Sequence, residues 1–128
     1  MRLFTKLPLI IFILSIASCS SDSESTQQED REKLNRHMEI IMELSQSMDC
    51  MDESNWDFTA IGSKACGGPN GYIAYSTQID TDDFLNRVER YTRSEADFNE
   101  KWGIISDCSL PPVPSGVTCE NGVAGLIY

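Results

Sequence analysis

The sequence predicts a small α+β domain with two main helices, a disulfide-bonded, glycine-rich connection and a short C-terminal β-hairpin. Three features lead to this fold class: two segments with apolar residues at helical spacing, four cysteines distributed between residues 50 and 119, and an Asn-Gly pair between apolar-bearing arms near the end of the chain. About one hundred residues form one domain with a thin core, which disulfides are expected to supplement.

The N-terminal segment has the layout of an export signal. Arg2 and Lys6 precede an apolar stretch at residues 7–14, which is shorter than the roughly twenty residues of a membrane span. The stretch leads into Ile16-Ala17-Ser18-Cys19, which resembles the lipobox of bacterial lipoproteins. The resemblance implies a signal peptide at residues 1–18 and diacylglycerol attached to Cys19, with the lipid bilayer as a partner. Plain secretion, without a lipid, remains the alternative.

The residues that follow Cys19 are expected to form a flexible tether. Residues 19–29 are polar and acidic and contain no large apolar side chain, so they cannot bury a core. Serine and acid directly after the cysteine resemble the export tags of some Bacteroidetes lipoproteins. The predicted location is therefore the bacterial cell envelope, with a lipid anchor in the outer membrane, and surface exposure is favoured slightly over a periplasmic face. The tethered domain is then expected at residues 30–128.

The charge balance excludes one class of partner. The formal net charge is −10, and it becomes −12 without the signal peptide, which carries two basic residues and no acidic one. A strongly acidic chain repels phosphate backbones, so nucleic acid is not expected as a partner. High charge otherwise indicates solubility.

The first helix is predicted from Asp30, as its N-cap, to about Met48. Its apolar residues recur at helical spacing and include three methionines, Met38, Met42 and Met48. This methionine stripe is interpreted as part of the core, because a lone helix must bury its apolar side. A soft partner-binding surface is the alternative interpretation.

The middle of the chain is rich in turn residues. Trp56, Phe58 and Ala60 alternate briefly with polar residues, and residues 62–71 contain four glycines and a proline among mainly polar side chains. Residues 72–76 then form either a short strand or a packed, aromatic-rich segment.

The second helix has clear start and stop signals. Asp80 or Thr81 is the expected N-cap, Asp82 and Asp83 suit the positive end of the helix dipole, and Gly103 marks the end. A calcium site at the three aspartates is the alternative, but capping explains them without a metal. The rigid Pro-rich residues 111–114 lead to the predicted hairpin, whose turn is Asn121-Gly122.

A family resemblance covers most of residues 50–128. Ala65-Cys66-Gly67-Gly68-Pro69, with Tyr72 after it, then Ser106-Asp107-Cys108, a Pro-Pro linker and a final cysteine strand resemble a group of small exported bacterial proteins. The resemblance implies one disulfide-stapled domain. It transfers no activity.

Four cysteines remain after Cys19: Cys50, Cys66, Cys108 and Cys119. An even number in an exported chain predicts two disulfides, and the wide spacing makes zinc or a reactive Cys66 thiol the less favoured interpretations. If the helices are antiparallel, partners at the same end meet most easily, which favours Cys50 with Cys66 and Cys108 with Cys119. Alternatively, the Pro-rich linker carries Cys119 back to Cys50 and leaves Cys66 for Cys108.

The function predicted from these features is a non-enzymatic, membrane-anchored interaction module. It would bind a protein, peptide or glycan, and inhibition of an exported hydrolase is one form of this. The candidate binding surface contains Trp56, Tyr72 and Tyr75, although aromatics in a small domain also serve its core. No cofactor or metal is expected. The alternatives are a small hydrolase that uses His37 with a carboxylate, and a purely structural envelope lipoprotein.

Overall fold

The computed structural model describes residues 24–128 and confirms the α+β class. The predicted signal peptide, the lipobox, Cys19 and the first part of the tether lie outside the described residues. Two helices and two antiparallel hairpins alternate along the chain, each helix being followed by one hairpin. The elements are α1 (Gln27–Ser45), a 3₁₀ turn (Glu53–Asn55), β1 (Trp56–Ile61), β2 (Gly71–Ser76), α2 (Thr81–Trp102), β3 (Gly116–Glu120) and β4 (Val123–Ile127).

Helix α1 begins three residues earlier than predicted, so the end of the expected tether is helical. Its N-cap is Thr26 and not Asp30. The Thr26 hydroxyl accepts a hydrogen bond from the backbone N–H of Glu29, and the Glu29 carboxylate accepts one from the backbone N–H of Thr26. This reciprocal capping box satisfies two N–H groups that the helix leaves without partners. The prediction missed it because Thr26 stands within a polar run.

Asp30 is not the N-cap of α1, and its side chain instead forms hydrogen bonds between the two helices. Its carboxylate accepts hydrogen bonds from the Lys101 ammonium, at 2.8 Å, and from the Trp102 indole, at 3.3 Å. The Lys101 hydrogen bond, followed by that of Ser25, holds the pKa of Asp30 well below its usual range. Because these contacts connect the start of α1 with the end of α2, the helices are antiparallel.

Helix α1 also ends earlier than predicted, at Ser45 and not at Met48. The hydroxyls of Ser45 and Ser47 donate to the carbonyls of Met42 and Leu44, which lie in the last turn of the helix. These local bonds compete with continuation of the helix. Met48 therefore lies outside the helix and is 39% exposed.

Helix α2 confirms both predicted boundaries. The Asp80 carboxylate accepts a hydrogen bond from the backbone N–H of Asp83, and Gly103 closes the helix in the left-handed conformation with φ 58°. Asp83 pairs with Arg87 one turn further on. Capping and pairing thus account for Asp80 and Asp83, and residues 24–128 contain no group of three metal-ligating side chains that could hold an ion.

The middle of the chain forms a complete hairpin, in which β1 pairs with β2 from Trp56 opposite Ser76 to Ile61 opposite Gly71. Residues 72–76 are thus a strand, and strand geometry places alternate side chains on opposite faces. One face carries Ile61, Ile73 and Tyr75 into the core, where Tyr75 stacks on Phe84 with ring centroids 4.9 Å apart.

The C-terminal hairpin of β3 and β4 confirms the predicted Asn-Gly turn. Asn121 and Gly122 have φ values of 54° and 81°, the positive values that a tight two-residue hairpin turn requires. Strand β3 contacts β1, and β4 contacts β2, so this hairpin forms a layer over the first one.

The core lies between the helix pair and the β1–β2 hairpin. Its buried members are Leu34, Ile41, Ile61, Ile73, Tyr75, Phe84, Val88, Tyr91 and Phe98. Within residues 24–128, no helix is both long enough and apolar enough to cross a bilayer.

Candidate functional site

A mainly apolar groove lies between the end of α1, strand β2 and the C-terminal hairpin. It has a volume of about 490 Å³ and is called here the methionine–aromatic groove. It is lined by Met38, Met42, Ser45, Gln46, Met48, Asp49, Trp56, Ile61, Tyr72, Ile73, Ala74, Gly122, Val123, Ala124 and Leu126. Its volume lies within the range of natural ligand sites, about 300–1,000 Å³.

The structure places two of the three predicted surface aromatics in this groove. Trp56 and Tyr72 are half-buried and line it. Tyr75 does not belong to the binding surface, because it is only 7% exposed and packs in the core. The reason is alternation along the strand: Tyr72 and Tyr75 are three residues apart and therefore point to opposite faces of β2. Burial raises the pKa of Tyr75, with a further contribution from the nearby Asp57.

The methionines of α1 are divided between the core and the groove. Met38 packs against the core with part of its side chain, whereas Met42 is 40% exposed. All three methionines of the predicted stripe line the groove. Unbranched thioether side chains adjust to differently shaped partners, so this lining suits a binding surface. The partner-binding interpretation of the stripe therefore has a structural basis, beside its role in the core.

Acidic groups border the groove on the side of the segment after α1. Asp49 lies at its edge, and Asp52 lies in the adjacent shallow recess that shares Met48, Asp49 and Trp56 with the groove. Hydrogen bonds from the Ser54 hydroxyl and the Ser54 backbone N–H lower the pKa of Asp52, so it stays ionised near neutral pH. The groove thus combines a mainly apolar lining with a negatively charged border.

His37 is exposed and lines a second, smaller cavity of about 280 Å³ between the helices. Ser94 and Asp97 also line this cavity. Among residues 24–128, however, no hydrogen bond joins His37 to either of them, and a catalytic relay needs a nucleophile and base within hydrogen-bond reach. The three side chains share a cavity but do not form a triad in this structure.

Glu95 anchors the glycine-rich loop to α2. Its buried carboxylate accepts hydrogen bonds from the backbone N–H of Ser63 at 2.8 Å, the Asn70 amide at 2.7 Å and the Tyr91 hydroxyl at 3.2 Å. Burial and the adjacent Glu95 raise the pKa of Tyr91 to about 12. Gly62 lies so close that an added Cβ would meet the Glu95 carboxylate at 2.7 Å. Glu95 thus fixes the start of this loop.

The disulfide joins Cys50 to Cys119, so the predicted pairs Cys50–Cys66 and Cys108–Cys119 are wrong. The helices are antiparallel, as the prediction assumed, but the chain from Cys50 to Cys66 does not stay at one end of them. Strand β1 carries the chain along the helices, and its loop is anchored to Glu95 and Asn99 in the second half of α2. The segment after α2 returns along the bundle and brings Cys119 to Cys50.

Cys66 and Cys108 carry free, exposed thiols on neighbouring segments, and Cys66 Sγ lies 3.5 Å from the carbonyl oxygen of Asp107, the residue before Cys108. The expectation that all four cysteines are bridged is therefore not met in this structure. The two motifs on which the family resemblance rests are in contact in the structure. The backbone N–H of Ala65 donates a hydrogen bond to the Ser106 hydroxyl at 3.1 Å, and this hydroxyl also lies 3.5 Å from Cys66 Sγ. The alternative pairing of the sequence analysis, Cys50 with Cys119 and Cys66 left for Cys108, is thus the arrangement that the structure has, with a bridge for the first pair and free thiols for the second.

Comparison with known proteins gave no match to a family model, to a curated protein or to a solved structure.

Proposed function

We propose that the protein is a lipid-anchored envelope module whose methionine–aromatic groove binds an apolar segment of an exported protein. The observation that carries the proposal is the groove itself: about 490 Å³ bounded by Met42, Trp56 and Tyr72. Aromatic and methionine side chains are enriched at protein interfaces, where they provide a large apolar contact area. Protein and peptide partners are preferred to glycans because the aliphatic side chains of Ile61, Ile73 and Leu126 contribute to the lining of the groove.

The acidic residues beside the groove indicate which kind of protein segment would bind there. Asp49 and Asp52 lie beside the groove, and the chain as a whole has a formal charge of −10. Complementary charge accelerates encounter and selects among partners. The partner is therefore expected to present apolar side chains next to lysine or arginine.

The first prediction concerns the groove. Met42→Asp introduces a charge into the apolar lining and should weaken capture of the partner by about tenfold or more, which corresponds to about 1.4 kcal/mol. The matched control is Val113→Asp, because Val113 is 68% exposed and lies outside the groove. Affinity capture from envelope extract, with each retained protein quantified by mass spectrometry, measures the effect.

The outcome separates the proposed function from its alternatives. A partner retained by the unmodified chain and by Val113→Asp, but lost with Met42→Asp, supports the groove. Equal retention by all three chains places binding elsewhere. A structural spacer would retain no specific partner, whereas a hydrolase would show turnover that disappears with His37→Ala.

The second prediction concerns the anchor. Cys19→Ala should abolish lipid attachment, because only the cysteine thiol can form the thioether that the lipobox resemblance implies. We expect the variant to move from the detergent phase to the aqueous phase and to lose labelling by palmitate. Cys108→Ala is the matched control, since it also removes one cysteine but lies outside the lipobox. Palmitate labelling of Cys19→Ala at the level of the unmodified chain would refute the anchor.

A further inference from the structure

Away from the groove, the structure brings two nucleophilic side chains together at the surface. Cys66 Sγ lies 3.5 Å from the carbonyl oxygen of Asp107, the residue directly before Cys108, and 3.5 Å from the Ser106 hydroxyl. Both cysteines are free and exposed. The pair is therefore accessible to an external thiol or disulfide.

Contacts other than a covalent bond hold the two segments in place. The Lys64 ammonium donates to the Asp107 carboxylate at 2.6 Å and to the carbonyl of Ser109 at 2.5 Å. The Lys64 side chain is only 14% exposed, so its ammonium is held against the second segment, whereas the Asp107 carboxylate is 76% exposed. The thiols are thus kept adjacent whether or not a disulfide joins them.

The other bridge lies in a different environment. Cys50 is only 2% exposed, and its backbone N–H donates to the Gly122 carbonyl at 2.8 Å. Thiol–disulfide exchange requires access of an attacking thiolate to a sulfur atom, so a buried bridge is resistant and an exposed pair is labile. The chain therefore combines one protected and one accessible cysteine pair.

We propose that Cys66 and Cys108 form a thiol–disulfide exchange site, which cycles between dithiol and disulfide against external thiols while the Cys50–Cys119 bridge stays closed. In the oxidising direction, the Cys66 thiolate attacks one sulfur of an external disulfide RS–SR. A Cys66–SR bond forms and RS⁻ leaves. Cys108 then gives up its proton to the solvent, and its thiolate attacks the Cys66 sulfur. The Cys66–Cys108 disulfide forms, and the second RS⁻ leaves.

These two steps together transfer two electrons from the two protein thiols to RS–SR, which becomes two RSH after protonation. Reduction by an external dithiol follows the reverse path.

The order of attack follows from the environment of each sulfur. The hydrogen bonds from Cys108 and then Ser106, with the charge of Lys64 as a smaller contribution, lower the pKa of Cys66. The hydrogen bond with Cys66, burial and the nearby Asp107 raise the pKa of Cys108. Cys66 is thus the attacking thiol.

The test is a redox titration of the purified chain with oxidised and reduced glutathione, followed by alkylation and peptide mapping without reduction. Oxidised glutathione should produce a peptide that links Cys66 with Cys108. Mild dithiothreitol should then release these two thiols while Cys50 and Cys119 remain linked. If no such peptide forms, or if all four thiols are released together, the exchange site is refuted.

Single-cysteine variants test the order of attack. Cys108→Ser should trap a glutathione adduct on Cys66 about tenfold faster at neutral pH than Cys66→Ser traps one on Cys108, because the thiolate fraction differs. In the Cys108→Ser background, Lys64→Gln should move the pH profile of Cys66 alkylation to higher pH, and Lys64→Arg should restore it. Equal trapping rates, or a profile that Lys64→Gln leaves unchanged, would contradict the assigned roles.

Discussion

Replacing Cys50 and Cys119 together with alanine should lower the free energy of unfolding by about 4 kcal/mol. The bridge spans a sequence separation of 69 residues. Closing a loop of this length removes much of the conformational freedom of the unfolded chain, and the chain-entropy account gives about 4 kcal/mol for it, within the 2–5 kcal/mol measured for small exported domains. The loss should appear as a lower midpoint in urea unfolding followed by circular dichroism.

The matched control is the replacement of Cys66 and Cys108 by alanine, compared with the unmodified chain in which these two thiols are reduced. Both side chains are exposed and unbridged in the structure, so a change below about 1 kcal/mol is expected. An equally small loss for the Cys50 and Cys119 pair would show that the bridge does not hold the C-terminal hairpin to the rest of the domain.

Glu95→Ala should have an effect of similar size, about 3–5 kcal/mol. The substitution leaves the backbone N–H of Ser63, the Asn70 amide and the Tyr91 hydroxyl without their acceptor, in a site where the carboxylate was buried. A buried donor that loses its partner costs roughly 1–3 kcal/mol, and the removed side chain also leaves a cavity. Urea unfolding of the oxidised chain measures the loss.

Tyr91→Phe is the matched control for Glu95. It removes one of the three donors and leaves the carboxylate bound to the loop through Ser63 and Asn70, so a cost of about 1 kcal/mol is expected. If Glu95→Ala and Tyr91→Phe lowered the free energy of unfolding equally, the stabilising effect of Glu95 would come from its hydrogen bond with Tyr91 and not from its bonds to the loop. Hydrogen exchange at the Ser63 amide provides a local measurement, since it should accelerate in Glu95→Ala alone.

Features that depend on neighbouring residues were predictable from the sequence. The cap at Asp80, the stop at Gly103 and the turn at Asn121 and Gly122 each depend on a few adjacent residues, and the structure has all of them. The capping box at Thr26 is equally local, but its residues had been assigned to the tether.

Features that depend on distant contacts were not predictable from spacing alone. The pairing of β1 with β2 crosses a nine-residue loop, and this pairing decides that Tyr72 lines the groove while Tyr75 enters the core. The pairing of Cys50 with Cys119, which leaves Cys66 beside the segment of Cys108, was only the alternative in the sequence analysis, because choosing it requires knowing that the first hairpin runs along the helices. The groove itself combines α1, β2 and β4, which are far apart in the chain.

The order of the cysteines along the chain has a consequence for biogenesis. Chains leave a secretion channel with the N-terminus first, so on the proposed export route Cys50 and Cys66 emerge before Cys108 and Cys119. The native partner of Cys50 is the last cysteine to arrive, and Cys66 is the first available substitute. Correct oxidation therefore requires that Cys50 remains reduced until translocation is complete, or that an isomerase reshuffles an early bond, a process that takes seconds to hours. Production in a host compartment that has an oxidase but no isomerase would favour mispaired chains over native ones.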